Sequence, residues 1–308
     1  MTLDISTAVC GISGVHVTAY RADGSIDAAT TGAVVDRIAS AGVHNIVSGG
    51  NTGEFYSLTL DEVRQVQDTA IAANAGRSAL TAAVGRSIGD AIALGRRARD
   101  AGATAIMAHQ PLDPFAAPEF QARYFLDIAD GVDLPLIAYV RSDAMSLADV
   151  MRVADHPNVV AVKFATTNVM LLSECIRAST GDTGIWVCGL AESWALPFYA
   201  VGAQGFTSGL VNVDPHRSLA IHAALEAGDF ARARDLVATI AAFEKLRTKF
   251  GNGANVTVVK ASLEAIGYPV GPVRVPGLAR LDEADTRLVA EIVASWGLTQ
   301  RAADRSAA

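Results

Sequence analysis

Asn158-Val159-Val160-Ala161-Val162-Lys163-Phe164-Ala165 is the stretch that decides how this chain is read. It is short, rich in valine and preceded by His156-Pro157, the signature of a buried strand bounded by a turn. Alternation along a strand puts Val160, Val162 and Phe164 on one face. Ala161, Lys163 and Ala165 then share the other, so the lysine stands between two small neighbours. The chain holds four lysines against twenty-one arginines, and Lys163 reads as the one set inside a short apolar run. Burying an ammonium is costly and drives the group toward the neutral amine. Such an amine attacks carbonyl carbon and forms a Schiff base. A lysine that pairs with a carboxylate, or reaches out to the rim, fits the same eight residues. From this stretch alone both readings stand.

Working outward, seven further apolar runs resemble it, at 14–20, 44–50, 78–85, 103–110, 134–141, 184–189 and 204–209. Alanine-rich segments of helical periodicity separate them, among them 27–41, 60–75, 90–101 and 193–201. Gly42, Gly76, Gly102 and Gly202 follow these segments as helix stops. Strand–helix alternation of this kind implies parallel strands covered by helices. Eight units in about 225 residues fit a closed (β/α)8 barrel better than an open sheet. The fold class expected is therefore α/β, a (β/α)8 TIM barrel. Three more helical patterns follow, at 229–250, 256–266 and 282–296, more than the barrel needs. The expected organisation is a barrel over 1–227, a C-terminal extension of about three helices packed on it over 228–297, and a disordered tail over 298–308.

Composition narrows the function. A chain of 308 residues that is 51% hydrophobic and 19% charged can bury a large core. A net charge of −7 with scattered arginines argues against nucleic acid as a partner. The three cysteines are odd in number and lack metal-like spacing, which fits a reducing cytoplasm. No basic N-terminal region precedes an apolar stretch and no run reaches membrane-spanning length, so neither a signal peptide nor a membrane partner is expected.

In such barrels the chemistry sits at the C-terminal ends of the strands. Lys163 is near the end of the sixth run. On the fifth, Tyr139 and Arg141 share parity: one could relay protons, the other clamp a carboxylate. A core tyrosine and a rim ion pair are the plainer alternatives. The second run ends in Gly49-Gly50-Asn51-Thr52-Gly53-Glu54, a tight turn whose closely spaced amides suit an anion such as a carboxylate. Gly189 ends the seventh run, and Glu192 follows it as an acid/base or as an early-helix acid favoured by the dipole. Thr207, Ser208 and Asn212 follow the eighth, either as substrate contacts or as turn residues. His16 and His109 can face the mouth, with core histidine as the default. Neither HxH nor HExxH spacing occurs, so no metal is expected. With no P-loop and no GxGxxG after a strand, no nucleotide cofactor is expected either.

The Gly50-Asn51-Thr52-Gly53-Glu54 turn, Tyr139 and Val162-Lys163, in this order and separation, resemble the dihydrodipicolinate synthase/N-acetylneuraminate lyase family over about residues 11 to 297. Val258-Val259-Lys260-Ala261 and Gly271-Pro272-Val273-Arg274 are similar to that family's helical extension. The resemblance implies a Schiff base between Lys163 and a 2-oxo acid such as pyruvate, proton relay by Tyr139, and carboxylate held by Thr52 and the amides of the turn. It implies no cofactor, because the iminium is the electron sink, and a homotetramer built as a dimer of dimers. Departures bear on the substrate. Asn51 replaces the first of two threonines that true synthases carry. His109-Gln110-Pro111-Leu112-Asp113-Pro114 lacks their intersubunit tyrosine, and Val140-Arg141-Ser142-Asp143 replaces the usual Asn-Val-Pro. Gly53-Glu54-Phe55-Tyr56-Ser57-Leu58, the tyrosine–arginine spacing and Phe206-Thr207-Ser208 look closer to the 5-dehydro-4-deoxyglucarate dehydratase branch. Ala191, where neuraminate lyases carry an acid, disfavours sialic acid. The expected activity is a lyase acting on a 2-oxo acid by dehydration or by aldol cleavage or addition. An authentic dihydrodipicolinate synthase and a non-catalytic metabolite-binding member are the rival readings.

Overall fold

The computed structural model describes residues 4–179 and 184–298. Residues 299–308, most of the tail expected at 298–308, lie outside the described residues. A short helix α1 (Ile5–Val9) leads in, its first turn capped by the Asp4 carboxylate on the Ser6 and Thr7 N–H groups. Then come β1 (Ile12–Val15), α2 (Ala28–Ser40), β2 (Asn45–Ser48), α3 (Leu60–Asn74), β3 (Ala79–Val84) and α4 (Ile88–Ala101). The alternation continues with β4 (Ala105–His109), α5 (Pro118–Gly131), β5 (Leu136–Val140), α6 (Leu147–Ala154), β6 (Val159–Phe164) and α7 (Val169–Ala178). It ends with β7 (Ile185–Cys188), α8 (Glu192–Ala200), β8 (Gly205–Ser208) and α9 (Pro215–Glu226). The strands pair in parallel, each with the next, and β8 returns to β1 to close the barrel. Helix ends follow local chemistry. Thr59 and Glu62 form a reciprocal capping box on α3, and Gly42, Gly76, Gly102 and Gly202 take the positive φ expected of helix stops.

Register determines what fills the barrel. Tyr139 lies opposite Lys163 and His109 opposite Tyr139, so all three project into the lumen near the C-terminal rim. Lower down, Asn45 donates to the Ser13 hydroxyl at 3.1 Å and accepts from the Thr81 hydroxyl at 2.9 Å, a satisfied polar layer across the floor. Phe164 points the other way, onto Phe198 of α8 with ring centroids 6.4 Å apart. Each such buried aromatic stabilises the packed layer by about 1.5–3 kcal/mol.

Two expectations need correction. The first strand runs over Ile12–Val15 and not 14–20. Beyond Val15 the backbone finds side chains instead of strands: Val17 N–H donates to Asn212 Oδ1 at 3.0 Å and Ala19 N–H to Thr31 Oγ1 at 3.1 Å. The pattern at 229–250 is two helices, α10 (Phe230–Ala238) and α11 (Ala241–Arg247). The Thr239 hydroxyl turns back onto Leu236 O at 2.6 Å and receives Arg217 at 2.9 Å where the chain bends. With α12 (Asn255–Ala265) and α13 (Glu283–Ser295), four helices follow α9, where about three were expected.

The floor is tight. A Cβ on Gly205 would lie 2.2 Å from Val9 O and 2.7 Å from Gly11 O, both backbone atoms that cannot swing aside. Gly205→Ala is expected to lower stability by about 1–3 kcal/mol. In urea unfolding the midpoint should fall with little change in slope.

Candidate active site

The Lys163 side chain is 4% exposed, and its Nζ sits 3.7 Å from the centroid of the Tyr139 ring. Among the described residues none of the ion pairs involves it. Burial, reinforced by the Arg141 charge, brings its pKa from the ordinary 10.5 down to about 7. A large share of the amine is therefore uncharged near neutrality. The Tyr139 hydroxyl accepts from Asn51 Nδ2 at 3.2 Å. Burial pushes its pKa up, while Arg141 and the Asn51 bond oppose the rise. The Arg141 guanidinium lies 5.8 Å from the same ring at the exposed rim, and its backbone N–H is fixed by Gln110 Oε1 at 2.5 Å.

Asn51 belongs to a 3-10 turn over Asn51–Gly53. Its internal bonds use the Gly53 N–H on Gly50 O at 2.9 Å and the Glu54 N–H on Asn51 O at 3.0 Å. The N–H groups of Asn51 and Thr52 lie outside those bonds and are available to an anion. The turn needs its glycines: a Cβ on Gly50 would lie 2.5 Å from Val15 Cγ1, and one on Gly53 3.0 Å from His16 O. Gly189, whose N–H donates to Phe164 O at 2.8 Å, packs the end of β7 against that of β6.

Not every expected residue joins this group. Ser208 is out of phase with the lumen-facing Thr207, and its hydroxyl donates to Glu192 Oε1. Ser218 of α9 reaches the same oxygen at 2.6 Å, so Glu192 and Ser208 meet each other between strand and helix and are not brought to Lys163. Burial raises the Glu192 pKa and Glu244 adds to the rise, favouring the acid form. Asn212 acts as a clasp, donating to Val15 O and Gly209 O. His109 stacks on Phe55 at 4.5 Å, bonds Gly49 O at 3.1 Å, and is pushed by burial down to about 3. His16, equally buried, also has its pKa lowered, so both histidines are neutral. Among the described residues no cluster of three or more His, Cys, Asp or Glu could hold a metal ion.

Two groups were given no role from sequence. Tyr56 stands edge-on to His109 at 5.2 Å, with burial pushing its hydroxyl up to about 12. Lys260 is the second lysine in an apolar setting, contrary to the reading that Lys163 is alone there. It is 2% exposed, but its Nζ is paired with Glu54 at 2.6 Å. Flanking Val258, Val259 and Ala261 carried the same signal that singled out Lys163. One buried lysine is thus paired with a carboxylate and the other is not. An uncharged amine in an apolar site can attack a ketone, and a phenol beside it can move a proton.

A sequence profile of the dihydrodipicolinate synthetase family matches residues 8–295. The chain belongs to the dihydrodipicolinate synthetase family. Its relatives carry two kinds of name. A 4-hydroxy-tetrahydrodipicolinate synthase of Methanoculleus marisnigri is 33% identical over 85% of this chain and 90% of its own length. A probable 5-dehydro-4-deoxyglucarate dehydratase of Xanthomonas campestris pv. campestris is 32% identical over 92% of this chain and 93% of its own. Among solved structures, the dihydrodipicolinate synthase of Bacillus clausii is 35% identical and superposes with a TM-score of 0.92, covering 96% of this chain and all of that one. This family member is accordingly a lyase with the family's (β/α)8 barrel. Among the described residues no helix is long and apolar enough to cross a membrane.

The amine's burial has a consequence for stability. Above pH 10.5 neither folded nor unfolded chain holds the proton, and burial carries no electrostatic penalty. As pH falls toward 7 the unfolded chain alone is protonated, so stability is lost, and below that the loss is complete. At about 1.4 kcal/mol per unit of pKa, the loss is on the order of a few kcal/mol. Lys163→Met is expected to be more stable than wild type near pH 7, with the gain shrinking toward pH 10.5 in urea midpoints.

Proposed function

We propose that this chain is a Schiff-base-forming lyase of a 2-oxo acid, acting by dehydration or by aldol cleavage or addition. The observation that carries this reading is the buried, unpaired Lys163 amine against the ring of Tyr139, whose hydroxyl is held by Asn51 of the anion turn. In this reading the amine adds to the ketone carbon and water leaves, giving an iminium. Tyr139 passes the protons of that step. Thr52 and the Asn51 and Thr52 amides hold the carboxylate, Gly189 shapes the mouth, and Arg141 meets a second acidic or hydroxylated end of the substrate. Loss of a proton from the carbon beside the iminium gives an enamine. The enamine then either expels the hydroxyl of the next carbon, which takes a proton and leaves as water, or attacks an aldehyde carbon. In the cleavage direction that C–C bond breaks from the iminium instead, releasing the aldehyde and leaving the enamine to take up a proton. In each case water hydrolyses the imine to free Lys163. No cofactor enters these steps.

Within this class a deoxy-oxo sugar acid is the favoured substrate. Asn51 stands where a relay threonine would be, and Arg141 gives the rim a guanidinium suited to a longer acid. A second reading, condensation of pyruvate with aspartate semialdehyde, is supported by the name of the Methanoculleus relative. A cytoplasmic homotetramer belongs to the same proposal. Exposed Leu112 and Phe115, between β4 and α5, and Phe120 in the first turn of α5 supply apolar surface for it, with Phe115 92% exposed.

Borohydride reduction in the presence of pyruvate is expected to leave a mass addition on the Lys163 peptide; the absence of an adduct with pyruvate and with longer 2-oxo acids would remove the mechanism. Tyr139→Phe is expected to lower turnover by roughly 10²–10⁴-fold, the range of acid–base catalysis, while the adduct still forms at long incubation. Product masses from a panel of deoxy-oxo sugar acids and aldehyde–pyruvate pairs separate the readings. Loss of water marks a dehydratase, pyruvate release an aldolase, and product from pyruvate with aspartate semialdehyde the synthase.

A further inference from the structure

The two C-terminal stretches singled out in the sequence, around Lys260 and Arg274, converge on one residue of the anion turn. Glu54 directly follows Gly53 and adopts φ 62° and ψ 34°, a left-handed conformation that non-glycine residues rarely take. Its carboxylate is buried. Lys260 Nζ of α12 reaches one oxygen at 2.6 Å, and the Arg274 backbone N–H donates to the other at 2.8 Å. Lys260 is itself fixed: it donates to Pro272 O at 3.1 Å and lies 4.2 Å from the centre of the Tyr20 ring. The Arg274 guanidinium continues the bracket, donating to Ser57 O at 3.2 Å and pairing with Glu62 at 2.6 Å. On the inner side, the Thr18 hydroxyl donates to Gly53 O at 2.7 Å. The turn is thus gripped between the segment after β1 and the extension, with Glu54 three residues from the Asn51 that bonds Tyr139.

We infer that Lys260, through its ion pair with Glu54, is a positioning residue for the Asn51–Gly53 turn, and that the extension sets the carboxylate-binding geometry from outside the barrel. This rests on the reading of that turn as the carboxylate holder. Removing either charge leaves its partner buried without the counter-ion it touches, so the left-handed Glu54 backbone loses a contact that fixes it. The Asn51 and Thr52 amides lose their aim first. Lys163, carried on β6, keeps its surroundings.

The test uses full-length Lys260→Met, Glu54→Gln and the double variant. Each single variant is expected to raise the pyruvate concentration for half-maximal borohydride trapping, and KM for turnover, at least tenfold, with kcat changed less than threefold. Backbone amides of 49–58 should exchange hydrogen at least tenfold faster, with β5 and β6 unchanged. Because the pair acts as a unit, the double variant should lose no more than the worse single one. Wild-type KM and wild-type exchange in a folded single variant would overturn the inference, as would losses that multiply in the double. A variant that only melts earlier, with KM and exchange intact, would also overturn it. Should Lys260→Met fail to fold, Glu54→Gln keeps the side-chain shape and carries the same comparison. If wild type traps no 2-oxo acid, the functional reading falls while amide exchange still decides the role of the pair.

Discussion

An amine held away from water with no carboxylate to balance it is the constraint on which the rest of this molecule turns. The lumen around Lys163 offers the face of Tyr139 and the more distant positive charge of Arg141, and neither favours an ammonium over an amine as an acid would. A fold accepts such a group only where the surrounding structure is over-determined. Here the parallel ladder on both sides of β6 supplies that determination, because shifting Lys163 would break its register with Tyr139 and Val187 together.

The contrast with Lys260 shows why burial alone does not name a nucleophile. Both lysines are nearly inaccessible, and in both burial works against the charge. Lys260 has a carboxylate at hydrogen-bond distance and serves architecture, whereas Lys163 has an aromatic ring and open chemistry. Family membership agrees with the fold, and similar chains carry synthase and dehydratase names at nearly equal identity.

The barrel was legible because its signals are local and repeated: eight apolar runs, and a glycine after each of several helices. Strand parity groups Tyr139 with Arg141 and sets Lys163 between two alanines, whereas placing Tyr139 beside Lys163 rests on the register of β5 with β6. What escaped depended on partners far away in the chain. The run at 14–20 alternates Val15, Val17 and Ala19 with His16 and Thr18 as a strand would, and only the reach of β2 and β8 decides that pairing stops at Val15. The bend at Thr239 has neither glycine nor proline to announce it. Ser208 was assigned to the mouth although its phase relative to Thr207 turns it outward, onto a glutamate that sequence order had also placed there. Lys260 was passed over because its apolar neighbours lie on a helix, where a stripe, and not a continuous run, marks the buried face.

The Ser13–Asn45–Thr81 layer at the floor has a further consequence. Those side chains are buried and satisfied by one another, and α1 packs beneath Gly205, so among the described residues the floor of the barrel is filled. Under the proposed function a 2-oxo acid reaches Lys163 from the C-terminal rim, past the Arg141 guanidinium. In that reading a product held at the rim stands in the path of the next substrate, which ties release to Arg141 and its neighbours.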